Sequence, residues 1–163
     1  MSDEMSAFAR QTIASLGLSP HPEGGWYRRT WASGAAIGSD GPVPAGELGE
    51  DGGKDLRPLA SLIYFLLPEG EASAWHVVDA DEIWLWHGPA PLALELGGEG
   101  PAPDAEKMQR FRLGLDAHGG QAQLIVPAGT WQRTLPGAGD VLVSCVVSPG
   151  FVYAGFELAS QEQ

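Results

Sequence analysis

A chain of 163 residues fits one domain and buries roughly 70% of its unfolded surface around one core; 44% hydrophobic and 18% charged content describes a globular protein. The net charge of −12 disfavours nucleic acid and anionic membranes, both of which need Lys and Arg to meet phosphates. No apolar run of about 18 residues offers a spanning helix, the acidic start MSDEMSAFARQ lacks the features of a secretory signal, and the lone Cys145 forms no internal disulfide, so a cytoplasmic protein is expected.

Only the first segment reads as helix. Ser2 is placed to cap it, Asp3 and Glu4 suit its positive end, Met5, Phe8, Thr12 or Ile13, and Leu16 give an apolar stripe, and Gly17 and Pro20 end it. Strands follow. Residues 26–31 alternate aromatic and basic side chains, 60–67 is a continuous run of buried type, and 82–87 and 91–96 alternate again. Further strands are expected at 108–113, 121–126, 141–148 and 151–158. Between them, 33–55 is Gly-rich, acidic and poor in large apolar residues, which predicts a flexible loop within a single domain spanning 1–163; 97–106 is a shorter connection of the same kind. Many short strands broken by Gly and Pro predict an all-β sandwich or barrel, jelly rolls included.

Two segments carry candidate chemistry. In GEASAWHVVDADEIWLWHG (70–88), His76 and Val78 leave the same face of a strand and Glu82 follows an acidic turn. In HPEGGWYRRTW (21–31), Gly24 and Gly25 permit a tight turn or close approach beside His21 and Glu23. Arg28 shares a strand face with Trp26 and Thr30, while Arg29 shares the other with Tyr27 and Trp31; the pattern leaves open which face is inward. An inward Arg28 would suit an anionic ligand.

Taken together, these segments resemble the cupin superfamily. Gly70, His76, Glu82 and Gly88 follow the first cupin motif, with Val78 where a second histidine stands; Pro127, Gly129 and Gln132 follow the second, with glutamine for the final histidine. The chain is most similar to the cupin 5, or DUF985, group, through PHPEGG (20–25), SLIYFLL (61–67), the run from His76 to Trp84, VPAGTWQ (126–132) and the closing segment from Ser148 to Phe156. The resemblance implies a double-stranded β-helix, a cupin jelly-roll barrel preceded here by a short helix, that binds a small molecule in its mouth and is commonly a homodimer. It does not fix a reaction.

The aligned ligand set, His76, Val78, Glu82 and Gln132, holds one good nitrogen, one carboxylate and one neutral amide oxygen, whereas catalytic zinc and iron sites normally have three strong ligands. No cofactor is expected, and a divalent metal, if bound, is held weakly by His76, Glu82 and Gln132. An inward Cys145 would add a thiolate, but a lone cysteine in an apolar strand is more often a core residue. One reading is a metal-independent isomerase, epimerase or lyase acting on a sugar-like or ring-containing acid. In it His76 is the base, Glu82 orients it, Tyr64 is the acid by analogy with metal-free sugar epimerases of this fold, and Gln132 fixes a substrate oxygen. Trp84, Trp131, Glu23, Arg28 and Ser61 complete the binding surface. The alternatives are a non-catalytic small-molecule binding module and, less favoured, a metal-dependent oxygenase.

Overall fold

The computed structural model describes residues 5–38, 41–43, 56–117 and 119–160. Its helix α1 (Ala7–Leu16) is capped by Ser6, whose Oγ accepts from the Ala9 N–H at 3.0 Å. Ser2, the cap expected from sequence, lies outside the described residues. Gly17 ends the helix at φ 63°, a left-handed conformation that glycine adopts without strain. The buried stripe is the expected one except at Phe8, whose place Ala9 takes. Ala9 and Thr12 are buried and Met5, Ile13 and Leu16 pack with Leu66, Trp26, Tyr64 and Leu142, while Phe8 faces outward.

Six strands form one antiparallel sheet in the order β1 (Ser19–Pro20), β2 (Trp26–Ala32), β6 (Ser61–Leu67), β13 (Val141–Ser148), β8 (Asp81–Pro89) and β11 (Gln123–Val126). A second antiparallel sheet runs β10 (Gln109–Leu113), β9 (Leu92–Glu99), β12 (Thr130–Thr134), β7 (His76–Val78) and β14 (Phe156–Leu158). From β6 onward the chain crosses repeatedly between the two sheets, which is the wrapping of a double-stranded β-helix. Between them lies a core that includes Phe65, Leu67, Trp84, Leu94, Leu113, Val126, Val143 and Cys145; each large apolar side chain so buried contributes roughly 1.5–3 kcal/mol.

Differences from the expected elements are local. The segment read as a loop over 33–55 contributes β3 (Ala36–Gly38) and β4 (Gly41–Val43), which join β5 (Arg57–Pro58) in a small third sheet; residues 39–40 and 44–55 lie outside the described residues. The run read as one strand over 151–158 begins instead with irregular backbone and a 3-10 turn (Tyr153–Gly155), leaving only β14 as strand. Strand β12 went unread because Thr130, Gln132 and Thr134, all buried, are polar. Among the described residues no helix is long and apolar enough to cross a membrane.

Strand β2 has its phase set by the helix. Trp26 and Arg28 pair with Leu66 and Tyr64 of β6 on the side that α1 covers, where Arg28 donates to the Leu16 carbonyl at 3.0 Å. Tyr27 and Arg29, paired with Phe65 and Ile63, therefore lie on the opposite face, where Tyr27 lines the cavity half-buried and Arg29 lines it exposed.

Candidate functional site

A cavity of about 390 Å³ opens at one end of the sandwich, within the usual range for small-molecule sites. Its walls are largely apolar and aromatic, with Tyr27, Ile63, Val78, Val147, Phe151 and Phe156 among them; its polar groups include His21, Glu23, His76 and Glu82.

Glu23 reaches the cavity through a turn that needs both glycines. The His21 N–H donates to the Gly25 carbonyl at 2.9 Å and the Gly24 N–H to that of His21 at 3.0 Å, while the Ala74 N–H donates to the Glu23 carbonyl at 2.7 Å. Gly24 and Gly25 have φ of 106° and 73°. A Cβ on Gly24 would stand 2.5 Å from the Ala72 oxygen, and one on Gly25 2.8 Å from Phe65 Cζ. The turn is thus pressed against the segment before β7, which carries His76.

His76 Nδ1 lies 2.8 Å from the Ala74 carbonyl oxygen. A carbonyl only accepts, so Nδ1 carries the proton and the lone pair of Nε2 is left for another partner. That partner is Glu23, whose Oε2 lies 3.3 Å away. His21 completes the group: its Nδ1 accepts from the Glu23 N–H at 3.2 Å and stands 3.7 Å from Glu23 Oε2. Its ring is packed edge-on to Tyr27, Phe65 and Phe156.

Glu82 comes from β8, where the two-residue period turns Glu82 and Trp84 inward. Its Oε2 accepts from Gln132 Nε2 at 2.6 Å, and the Cys145 thiol also hydrogen-bonds to it. Gln132 is directly opposite His76 in the β12–β7 register, and its Oε1 accepts the Trp84 indole N–H at 2.9 Å.

Burial decides the protonation of these groups. It pushes the His21 and His76 imidazoles down to about 4. It lifts the Glu23 carboxyl well above the usual range, helped by the negative charge of Glu82. Glu82 rises to about 7, burial outweighing the hydrogen bonds from Gln132 and Cys145 that favour its charged form. Near neutrality both imidazoles are uncharged and the proton between Glu23 and His76 resides on the carboxyl.

The residues singled out in the sequence divide accordingly. His76, Glu82, Glu23 and Ser61 line one cavity, with Ser61 Oγ accepting from the Phe151 N–H at 2.9 Å. Gln132 stands behind Glu82, both ends of its amide engaged. Trp84 is a core residue packed edge-on to Phe65, and Trp131 donates its indole N–H to the Gly100 carbonyl at 2.9 Å; neither lines the cavity. Tyr64 and Arg28 are on the α1 side of the sheet, away from His76. The partner of His76 is Glu23 rather than Glu82. Sequence reasoning left Tyr27, Arg29, Phe151, Tyr153 and Phe156 unassigned. The aromatic spacing after Pro149-Gly150, a turn dipeptide, was the available signal for the last three.

The metal that many proteins of the resembled superfamily carry does not suit this donor set. Val78 supplies no donor to the cavity wall, the only oxygen Gln132 offers already accepts from Trp84, and one lobe of Glu82 is taken by Gln132. Among the described residues no three or more His, Cys, Asp and Glu side chains are grouped to hold an ion.

The sequence matches the Cupin_5 family, described as "Cupin superfamily (DUF985)", over residues 10–159. No curated protein matches it. A hypothetical protein from Leishmania major is similar in structure, with a TM-score of 0.75 and 31% identity over 94% of this chain and 88% of that one. A crystallised protein from Shewanella oneidensis is 36% identical with a TM-score of 0.73, covering 94% of this chain and 85% of its own. A protein with a double-stranded β-helix domain from Klebsiella pneumoniae, at 13% identity and a TM-score of 0.53 over 99% of this chain and 100% of that one, shares the fold alone. With residues 10–159 matched and the two sheets wrapped as a jelly roll, the chain belongs to the cupin superfamily, in its DUF985 group.

Proposed function

We propose that the cavity binds a small molecule and moves a proton on it without a metal, as an isomerase, epimerase or lyase does. The observation that carries this reading is the 3.3 Å approach of Glu23 Oε2 to His76 Nε2, with His76 Nδ1 committed to the Ala74 carbonyl. Glu23 is the group that meets the substrate. With its proton in place it acts as an acid; with that proton passed to His76 Nε2 it is a carboxylate that accepts one from a weakly acidic C–H or O–H. His76 carries the proton only transiently between these states, since burial favours its neutral form. Glu82, raised to about 7, is a second proton-handling group on the same cavity, and isomerisation needs one group to take a proton and another to return it.

An ordered wall supports the same reading. The closing segment is tied down at both ends. The Gly150 N–H donates to the Pro58 carbonyl at 2.7 Å, and the Asp79 N–H to that of Gly155 at 2.9 Å. Arg57 bonds Asp79 through both terminal nitrogens, at 3.0 and 2.7 Å. Phe151, Val152 and Tyr153 are thereby held along the cavity wall. The full reading is a cytoplasmic homodimeric enzyme of this kind. Incubation in D2O with a panel of aldoses, ring-bearing acids and small amines, followed by proton NMR, tests it: the expected result is one carbon-bound position exchanging, and no exchange in His76→Ala. Saturable binding without exchange selects a non-catalytic binding module instead.

A further inference from the structure

We propose that the cavity is selective for a small organic cation, an amine whose ammonium group sits against the Glu23 and Glu82 carboxyls and whose body packs on Phe151, Tyr153 and Phe156. The inference rests on the reading of this cavity as the substrate site and adds the class of molecule it takes.

The argument is one of missing countercharge. Glu23 and Glu82 line the same cavity and both are largely buried. Among the described residues, the charged and titratable groups around Glu23 include His21 of its own turn, Tyr27 from β2, His76 from β7, Glu82 from β8, Cys145 from β13 and Tyr153 of the closing segment. None of these is a cation near neutrality. The cationic side chain lining the cavity among the described residues is Arg29, and its Nη2 donates to the Phe151 carbonyl at 2.6 Å, at the rim. A buried carboxyl without a cation beside it keeps its proton, because desolvating the bare carboxylate is costly, and its ionisation waits on a charged partner. A ligand ammonium supplies it, displacing the carboxyl proton to solvent. The walls fit the same ligand. Phe151 packs edge-on to Tyr153 and Phe156, at 5.1 and 5.7 Å between ring centres, and Tyr27 joins Tyr153 through their hydroxyls at 3.1 Å. Clustered aromatic faces of this kind attract a cation through their quadrupoles. Among the described residues Arg29 alone is the cationic side chain lining the cavity to meet an anionic ligand, which would also face two carboxyls.

Calorimetric titration of the full chain with phenethylamine, 2-phenylethanol and phenylacetate tests the proposal, since the three share a ring and differ in charge. Phenethylamine is expected to bind about tenfold or more tighter than the other two, the order that a charge-assisted contact adds. Titration in buffers of different ionisation enthalpy is expected to show release of about one proton per ammonium bound. The isosteric Glu23→Gln, shown to be folded by its melting temperature, is expected to lose the preference. The proposal is overturned by alcohol or carboxylate binding as tight as the amine, by no saturable amine binding, by no proton release, or by an unchanged preference in Glu23→Gln. Amine binding with no exchange of any probe in D2O defeats the proton-transfer reading alone; exchange of acids or sugars with no amine preference defeats this one alone.

Discussion

Glu23 and His76 meet across the barrel end with only one proton between them. Oε2 lies 3.3 Å from an Nε2 whose opposite nitrogen is spent on the Ala74 carbonyl. Glu23→Gln keeps a donor facing His76 and removes the transferable proton. Its melting temperature is therefore expected to stay near wild type while proton exchange on a responsive substrate falls about 10²–10⁴-fold, the usual worth of general acid–base catalysis. A variant that retains exchange would remove Glu23 from the mechanism.

The same groups make stability depend on pH. In His21 and His76 the imidazole is held at about 4 in the fold against 6.5 when free, so between these values the unfolded chain binds more protons and stability rises with pH. The carboxyls work the other way. Glu82, moved from 4.5 to about 7, keeps its proton after the unfolded chain has lost it, so stability falls with rising pH across that window, and Glu23 acts in the same sense. From 6.5 to about 7 the unfolded imidazoles lose most of their remaining protons, their opposing effect fades, and the two carboxyls together outweigh it. The melting temperature is expected to decline across that interval, and Glu82→Gln is expected to flatten the decline. A melting temperature that rises there in wild type would contradict the assigned protonation states.

How much of this site the sequence revealed follows from which forces are local. Glu82 reads as inward from its place in the first cupin motif, Trp84 follows it by the local two-residue period of a strand, and the pressed turn at Gly24 and Gly25 is a property of glycine itself. The phase of β2 depends on a distant helix: α1 covers Trp26 and Arg28, and this is what leaves Tyr27 and Arg29 to the cavity. Strand β12 hides for a related reason. Its inward polar side chains are satisfied by remote partners, Gln132 by Glu82 and Trp84, and Thr134 by Ser73. Nothing near Gln132 in the chain announces them. The pairing of His76 with Glu23 is likewise a contact between strand β7 and the turn before β2, invisible to any periodic pattern.

Gln132 is the structural hinge of that polar layer. Truncation to alanine leaves the Trp84 indole N–H and a Glu82 oxygen without their partners in a buried setting. Each such orphan costs about 1–3 kcal/mol, and a loss of about 2–5 kcal/mol in urea unfolding is expected from the pair and the vacated volume. A change below about 0.5 kcal/mol, the scatter of ordinary surface substitutions, would mean that water satisfies both groups.

Restoring donors tests why this barrel does not suit a metal. Val78 lines the cavity, and Gln132 stands opposite His76 in the β12–β7 register. The double substitution Val78→His and Gln132→His adds two imidazoles to His76 and Glu82, and catalytic zinc sites need about three such ligands. Stoichiometric zinc and a zinc-dependent rise in melting temperature are expected in the double variant. Each single variant is expected to bind less tightly, since it offers three donors where the double variant offers four. Metal content in the double variant no higher than in wild type would show that side chains at 78 and 132 do not converge on His76. The chemistry of the native cavity would then owe nothing to the missing ligands and would rest on the Glu23–His76 contact, which no metal-ligand pattern in the sequence predicts.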